Sequence, residues 1–383
     1  MIEPFRIAIT DNALDDLRRR LELTRLADDP NVEGWDLGIR TSFLRDLMAY
    51  WRTGFDWRTQ ETRLNAYPQF RADVAGDRIH FVHVRGAGRE PTPLLLLHGW
   101  PATFAELLPL AHRLSDPARY GGDSDDACDV VIPSLPGFGF SDRARTMAMN
   151  AFAIADSLAE LMTQLGYATF TVQGGDIGAG VATALALTHA DRLTGLHLNY
   201  IPGSYLPPSD RLDDLSDEER ESLRSAEAWF AREGAYAHLQ RTLPQTVAHA
   251  LNDSPAGLAA WIVEKYERWS DCGGVIEQRF TRDELLTNVS IYWFTETIAS
   301  SMRYYAMGTR APLHFARGQR VTTPTAIARF PSEQPFPALA WIERGYDVVR
   351  FTEMARGGHF AAAEEPALLA ADILSFVRER TVR

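Results

Sequence analysis

Cysteine is almost absent from this chain of 383 residues, which contains only Cys128 and Cys272. The two lie far apart and outside any Cys-x-x-Cys or Cys/His cluster, so the sequence indicates neither a disulfide framework nor a zinc site. Both fit a reducing environment as small buried side chains. We therefore expect a cytoplasmic protein that binds no metal ion.

Clustered positive charge is also missing. The chain has 39 Lys and Arg residues against 51 Asp and Glu, a formal net charge of −12. Because binding to phosphates requires grouped basic side chains, nucleic acid is not an expected partner. No run of about 18 apolar residues suggests a membrane span, and residues 1–16 lack the apolar region of a secretion signal. We expect a soluble protein without a membrane partner.

The hydrophobic pattern changes twice along the chain. Residues 5–68 are Trp-rich and mostly helical in pattern, with irregular segments expected at 55–58 and 67–70. Short apolar β runs then alternate with helical stretches. The β signal stops after residue 202, where helical, charged sequence begins with a capping pattern at Ser216, and it returns near residue 325. The predicted strands are 79–84, 94–97, 129–133, 170–173, 196–200, 325–330 and 347–351, and the predicted helices include 14–23, 41–52, 104–114, 152–165, 178–189 and 366–380.

This alternation predicts an α/β fold with a mostly parallel sheet and helices on both faces. The helical block between strands is typical of a lid over the carboxyl ends of the strands, where open α/β sheets bind ligands. We therefore divide the chain into four parts. They are an N-terminal meander that wraps the core (1–75), the first part of the core (76–205), the lid (206–312) and the second part of the core (313–383).

The strongest local motif is Gly174-Gly-Asp176-Ile-Gly178, in which a β run passes straight into a helix. It has the form of the nucleophile elbow of α/β-hydrolases, with Asp in the place of the usual Ser. Glycine is needed on both sides because a Cβ atom there would collide with the turn. Asp176 is thus the candidate nucleophile, although the same residue could instead serve as the N-cap of the following helix.

A second motif is the apolar run Leu94–Leu97, which leads into His98-Gly-Trp100-Pro. In α/β-hydrolases the loop after this strand supplies one oxyanion-hole donor, and the residue after the nucleophile supplies the other. The candidate donors are the main-chain N–H groups of Trp100 and Ile177. We interpret His98 as a structural hydrogen-bonding residue.

A third motif, Arg-Gly-Gly-His359, follows the last β run and precedes the last helix. The chain order of nucleophile, acid and histidine makes His359 the candidate base. An acid to orient its ring should follow an earlier strand, as Glu333 does, with Asp347 as the runner-up. Glu364 and Glu365 follow His359 too closely for this role.

The choice of a carboxylate nucleophile restricts the chemistry. The sequence has no Gly-x-Ser-x-Gly motif and no P-loop, which disfavours a serine esterase and excludes a P-loop nucleotide site. An alkyl ester formed on Asp176 can be cleaved at the enzyme's own carbonyl carbon. Suitable substrates carry an electrophilic sp³ carbon, as epoxides and alkyl halides do.

With these residues in hand, the chain resembles the microsomal-type epoxide hydrolases, including soluble bacterial members and insect juvenile-hormone enzymes. The similarity covers nearly the whole length. It is carried by motifs that occur in the family's order: Pro4-Phe-Arg-Ile-Ala-Ile, Phe55-Asp-Trp-Arg, Pro68-Gln-Phe, His98-Gly-Trp-Pro, Pro136-Gly-Phe-Gly-Phe-Ser, Gly174-Gly-Asp, Leu251-Asn-Asp-Ser-Pro, Thr287-Asn-Val and Arg356-Gly-Gly-His-Phe.

The resemblance implies that the substrates are an epoxide and water and that the reaction needs no cofactor. It assigns Asp176 as nucleophile, His359 as base and Glu333 as acid. It also implies that Tyr236 and Tyr305 in the lid hydrogen-bond the epoxide oxygen. Tyr304 is the less favoured neighbour.

Two departures from the family pattern stand out. The family often has Trp after the nucleophile, where this chain has Ile177, and Gly after His-Gly-Trp-Pro, where this chain has Ala102. The first departure alters a cavity wall but keeps the main-chain donor. We expect catalysis to survive and the substrate shape to differ.

Two alternative functions share part of this set of residues. A haloalkane dehalogenase would need N–H donors for the halide, and Ile177 removes the usual one, although Trp100 could still serve. A ligand-binding α/β-hydrolase without turnover should lack part of the set of site residues, which is complete here.

The substrate itself is less well defined by the sequence. The aromatic residues Trp229, Phe230, Trp293 and Phe294 suggest a bulky apolar or aryl epoxide, with Trp293 and Phe294 as candidate substrate-binding residues, although core packing explains them equally well. The resemblance extends to bacterial enzymes of secondary-metabolite pathways such as enediyne biosynthesis, which makes a tailoring role one hypothesis. A homodimer is the default expectation for the assembly.

Overall fold

The computed structural model describes residues 1–29, 32, 34–143, 149–208 and 215–381. Among these residues no helix is long and apolar enough to cross a membrane. The strands are β1 Ile2–Phe5, β2 Gln69–Val74, β3 Asp77–Val84, β4 Thr92–Leu97, β5 Cys128–Pro133, β6 Phe170–Gly174, β7 Leu193–Leu198, β8 Val321–Arg329 and β9 Tyr346–Glu353. The α-helices are α1 Asp11–Glu22, α2 Thr41–Thr53, α3 Trp57–Leu64, α4 Leu108–Ser115, α5 Ala151–Gln164, α6 Asp176–Thr188, α7 Asp217–Glu233, α8 Ala235–Thr242, α9 Pro244–Asp253, α10 Pro255–Trp269, α11 Arg282–Thr295, α12 Ile298–Arg310, α13 Leu339–Glu343, α14 Ala361–Glu364 and α15 Pro366–Thr381.

The strands form one sheet in the order β1-β2-β3-β5-β4-β6-β7-β8-β9. Strands β1, β2, β3 and β5 pair with one another antiparallel. From β5 through β4, β6, β7 and β8 to β9 all neighbours are parallel. Each strand predicted from the sequence overlaps an observed strand, and the predicted mostly parallel sheet is confirmed.

The central strands are apolar on both sides, which is why they lie inside the molecule. Successive side chains of a strand point to opposite faces, and in β4 this divides Leu95 and Leu97 from Leu94 and Leu96. The first pair packs in one core with buried residues of α5 and α6. The second pair packs in another core with buried residues of α4 and α15. Helices therefore cover both faces, as predicted.

The N-terminal segment differs from its prediction in two places. Residues 55–58 and 67–70 were expected to be irregular, but α3 begins at Trp57 and β2 begins at Gln69, and that expectation is wrong. Asp56 caps α3 by accepting hydrogen bonds from two main-chain N–H groups. β1 and β2 extend the sheet beyond β3 through antiparallel pairing. β2 forms a tight hairpin with β3 through Ala75 and Gly76, whereas β1 is defined by a partner distant in sequence, which local periodicity does not reveal.

Between β7 and β8 the described residues form the helices α7 to α12. The predicted capping pattern is confirmed, since the Ser216 hydroxyl accepts from the Glu219 N–H and the Glu219 carboxylate accepts from the Ser216 N–H. A second capping box, at Thr281, begins α11. Residues 209–214, which belong to the predicted lid, lie outside the described part of the chain.

Candidate active site

The turn between β6 and α6 presents Asp176. The strand ends at Gly174 and the helix begins at Asp176, whose φ of +47° is uncommon for a residue other than glycine. A Cβ on Gly178 would lie 2.2 Å from the Leu97 carbonyl oxygen, and one on Gly174 would lie 2.4 Å from the Gly178 carbonyl oxygen. Only glycine fits on either side, as predicted. The N-cap of α6 is Gly175 and no side chain caps it, so the alternative of Asp176 as an N-cap is wrong.

Two main-chain donors hold the Asp176 carboxylate. The Trp100 N–H donates to Oδ1 at 2.7 Å, and the Ile177 N–H also donates to this carboxylate. β4 and β6 are parallel neighbours, so the loop after β4 reaches the turn after β6. A Cβ on Gly99 would lie 2.2 Å from Asp176 Oδ1, which explains why glycine precedes Trp100. The two predicted oxyanion-hole donors thus converge on one side chain.

The imidazole of His359 lies between two carboxylates. Its Nδ1 is 2.9 Å from Glu333 Oε2, and its Nε2 is 3.7 Å from Asp176 Oδ2. Glu333 follows β8 and is 1% exposed, so it is held away from solvent beside the ring. The runner-up acid, Asp347, lies on β9 opposite Pro324. The residues predicted as nucleophile, base and orienting acid are therefore brought together at the carboxyl ends of three parallel strands.

The charges in this group stabilise one another. Burial lowers the pKa of His359, but the Glu333 and Asp176 carboxylates outweigh burial and raise that pKa to about 9. Burial raises the pKa of Asp176, while His359 and the two N–H groups oppose the rise. Burial likewise raises the pKa of Glu333, opposed by His359. The imidazolium form is thus favoured while Glu333 and Asp176 both carry their negative charges.

A cavity of about 400 Å³ opens beside Asp176. Tyr236 from α8 and Tyr305 from α12 line it, and their hydroxyl groups are hydrogen bonded to each other. Burial raises the pKa of each tyrosine, and the negative charge of Asp176 raises it further. Two protonated phenol groups therefore share the cavity with the carboxylate. Tyr304 also lines this cavity.

Aromatic packing fixes the orientation of these groups. The Trp100 ring is stacked on Tyr236 with centroids 5.3 Å apart and lies edge-on to Tyr305 at 5.9 Å. Trp269 lies edge-on to His359 at 5.0 Å. Such contacts restrict ring rotation in a buried site, so the reactive side chains are held in place.

Comparison with known proteins agrees with this geometry. A family model described as "Epoxide hydrolase N terminus" matches residues 2–107, and one described as "alpha/beta hydrolase fold" matches residues 92–264. Epoxide hydrolase 1 of Sus scrofa is 38% identical over 98% of this chain and 88% of its own length. The chain belongs to the epoxide hydrolase family.

Solved structures of the family show the same fold. Juvenile hormone epoxide hydrolase from the silkworm Bombyx mori matches with a TM-score of 0.86 and 30% identity, over 100% of this chain and 94% of that one. The epoxide hydrolase of Aspergillus niger matches with a TM-score of 0.84 and 31% identity, over 99% of this chain and 96% of that one. The predicted α/β-hydrolase fold is confirmed.

Two predicted substrate-binding residues of this epoxide hydrolase lie elsewhere. Phe294 packs against Trp57 of α3 with ring centroids 4.9 Å apart, and the Arg20 guanidinium lies 5.6 Å from the Trp293 ring. Neither is among the residues that line the cavity, so that prediction is wrong. The reason is that this part of α11 faces the N-terminal helices. Of the other lid aromatics, Phe230 does line the cavity.

Three residues near the site were missed from the sequence. Tyr200, just after β7, lines the cavity and lies 5.9 Å from the His359 ring. Its position at the carboxyl end of a predicted strand was a usable signal. Trp269 and Glu106 carried no such signal, because each lies within a helical pattern that does not say which side faces the site.

Proposed function

We propose that this epoxide hydrolase converts a bulky apolar or aryl epoxide to a vicinal diol through an ester formed on Asp176. The observation that carries the proposal is the pairing of a carboxylate held by two N–H groups with a tyrosine pair on the same cavity. His359 and Glu333 complete a catalytic triad with Asp176.

In the first step Asp176 Oδ2 attacks an epoxide carbon. Oδ1 accepts the Trp100 N–H, and Oδ2 lies 3.7 Å from His359 Nε2, so we assign the attack to Oδ2. The carbon–oxygen bond of the epoxide breaks as the new bond forms, and its electron pair goes to the epoxide oxygen. Tyr236 and Tyr305 donate hydrogen bonds to that oxygen, and one of them transfers its proton. Stabilising this charge in the transition state accelerates the step.

In the second step water hydrolyses the ester. Esterification removes the Asp176 charge, one of the charges that raise the pKa of His359, so the imidazolium gives its proton to the tyrosinate left by the first step and the neutral imidazole becomes available as a base. His359 takes a proton from water, and the oxygen of that water attacks the Asp176 carbonyl carbon. The N–H groups of Trp100 and Ile177 hold the tetrahedral oxyanion. The bond between the Asp176 carbonyl carbon and the diol oxygen then breaks, and the remaining proton of the attacking water passes to that oxygen. The diol leaves, and Asp176 is again a carboxylate beside protonated His359.

The cavity supports the proposed substrate class. Its volume of about 400 Å³ falls in the range of small-molecule sites, roughly 300 to 1,000 Å³. Apolar side chains of Ile177, Phe230 and Leu313 line part of it. The lid helices α8 and α12 contribute Tyr236 and Tyr305 to this cavity and would close it over the sheet. Neither step uses a metal or a cofactor. A cytoplasmic location, a homodimer and a tailoring role in secondary metabolism remain predictions.

The proposal is tested by comparing two substrates. We expect the purified protein to convert styrene oxide to its diol and to release no halide from 1-bromobutane, measured by chromatography and halide assay. The comparison matters because the indole N–H of Trp100 is buried without a hydrogen-bond partner in the described structure and could bind a halide. Halide release without diol would favour the dehalogenase. Binding of styrene oxide without either product would favour a non-catalytic protein.

The tyrosine pair should act mainly on ester formation. We expect Tyr236→Phe and Tyr305→Phe each to lower kcat/KM for styrene oxide by about 10²-fold, because each removes a donor to the opening oxygen. The measurement is the rate of ester formation in single-turnover experiments. Tyr304→Phe is the matched control, since Tyr304 lines the same cavity, and it should retain most activity. An equal loss in Tyr304→Phe would reject the assignment.

A further inference from the structure

A second, much smaller cavity also borders the reactive groups. Its volume is about 20 Å³, and Asp176, His359, Glu106, Gln173 and Asn199 are among the residues that line it. One water molecule needs roughly 10 to 15 Å³ together with several polar partners. The cavity therefore has the size and lining for a single water between the nucleophile and the base.

Glu106 contributes a carboxyl group to this cavity without a protein partner. It lies in the 3₁₀ turn Phe104–Leu107, which follows the loop that carries Trp100. Only burial and the charges of other groups shift the pKa of its carboxyl, and no side-chain hydrogen bond joins it to another described residue. Glu106 is half-buried overall, and a carboxyl group that faces a small cavity without a hydrogen bond is costly. A bound water would remove this cost.

The side chain of Gln173 is a second, independent indication that the small cavity binds a water molecule. This residue is 1% exposed and lies on β6, directly before the turn that presents Asp176. Its side-chain Nε2 donates to Asn199 Oδ1 at 2.7 Å, which fixes the orientation of the amide. Its Oε1 is buried with no partner within the described residues. A second acceptor is therefore available at this cavity.

We propose that Glu106 and Gln173 bind the hydrolytic water in this small cavity, and that Glu106 acts in hydrolysis of the ester rather than in its formation. The inference rests on the proposed function. One proton of the water goes to His359 Nε2 while its oxygen bonds to the Asp176 carbonyl carbon. The other proton stays on that oxygen and is hydrogen bonded to Glu106 or Gln173 during the attack.

The charges around Glu106 agree with a role in the second step. Burial raises its pKa to about 8, His359 lowers it, and Asp176, Glu364 and Glu333 raise it further. Tyr266 and Tyr292 also face this carboxyl. Esterification removes the Asp176 charge and so favours ionised Glu106. An ionised Glu106 is a stronger hydrogen-bond acceptor for the water and stabilises the imidazolium that forms on His359.

The test separates the two chemical steps in Glu106→Gln. Styrene oxide is mixed with excess enzyme, the reaction is stopped with acid, and the ester is followed by intact mass. We expect ester formation within about twofold of the parent rate and ester hydrolysis slowed by about 10- to 100-fold, so that the ester accumulates. In steady state kcat and KM should fall together, leaving kcat/KM nearly unchanged.

Two further variants keep the result interpretable. Glu106→Asp keeps the carboxyl group and should recover part of the hydrolysis rate. If Glu106→Gln fails to fold, Glu106→Asp takes its place as the test variant. Glu267→Gln is the control, because Glu267 has a buried carboxyl oxygen without a partner among the described residues but lines neither cavity. It should leave both steps unchanged.

The outcomes distinguish failure of the proposed role of Glu106 from failure of the proposed function. Equal slowing of both steps in Glu106→Gln, or slowing of ester formation alone, would overturn the role of Glu106 while leaving the ester mechanism intact. Hydrolysis at the parent rate would do the same. Diol formation with no ester in any variant, including His359→Gln, would instead reject the proposed function.

Discussion

Replacement of His359 by glutamine is expected to stop the reaction after one ester has formed on Asp176. Glutamine cannot take the proton from water, whereas the nucleophile, the N–H donors and the tyrosine pair remain in place. We expect kcat to fall by about 10⁴-fold or more, with one equivalent of substrate bound per protein. Intact mass should increase by the mass of the epoxide, and peptide mapping should place the adduct on Asp176.

The control for this prediction is Asp347→Asn, which changes the carboxylate that was the runner-up acid. Asp347 lies on β9 opposite Pro324, so this variant should turn over as the parent does. The turnover of Glu333→Gln should lie between that of His359→Gln and that of Asp347→Asn, because the ring of His359 would lose its orienting charge. Normal turnover in His359→Gln would show that another group activates the water.

A single turnover in heavy-oxygen water is expected to label the protein before it labels the product. The water attacks the Asp176 carbonyl carbon, so its oxygen enters the carboxylate, while the oxygen that formed the ester leaves with the diol. Peptide mass analysis should find the label in Asp176, and the first diol should carry none. Asp176→Ala should form no ester and lose about 10⁴-fold or more in turnover.

The contrary result is equally clear. If the first diol contains the heavy oxygen and Asp176 does not, water attacks the epoxide directly and the covalent route is wrong. Asp176→Ala controls for chemical exchange of other carboxylates, since any label that it acquires in the same peptide cannot come from the ester.

The parts of the fold that were predictable are those specified by local sequence. Strands such as β4 are apolar runs bounded by turns, and the Gly-x-Asp-x-Gly turn carries its steric requirement in adjacent residues. β1 and β2 are different. No residue of β1 is buried, and the buried residues of β2, Gln69, Ala72 and Val74, do not alternate strictly, so neither strand has a clear local pattern. β2 forms a hairpin with the adjacent β3, whereas β1 is a strand because it pairs with β2 across the N-terminal segment, and such long-range pairing has no local signature.

The residue pattern alone predicted site residues that follow a strand, whereas those on helices, such as Tyr236 and Tyr305, were assigned only through the family resemblance. Asp176, Glu333 and His359 all follow parallel strands, whose carboxyl ends meet at one edge of the sheet. The orientation of a helix is decided by its neighbours. Trp293 faces Arg20, far away in the sequence, and Glu106 faces the reactive groups, yet neither direction could be inferred from the residue type.

The unequal hydrogen bonding of the two Asp176 oxygens has a consequence for the fate of individual atoms. Oδ1 accepts the Trp100 N–H, whereas Oδ2 faces His359 Nε2 at 3.7 Å. If the carboxylate does not rotate between cycles, Oδ1 stays with the protein permanently and the other oxygen is replaced each time. Every diol would then contain an oxygen that arrived with the water of the preceding cycle. After a change of solvent isotope, the diol would therefore take up the new isotope one turnover later.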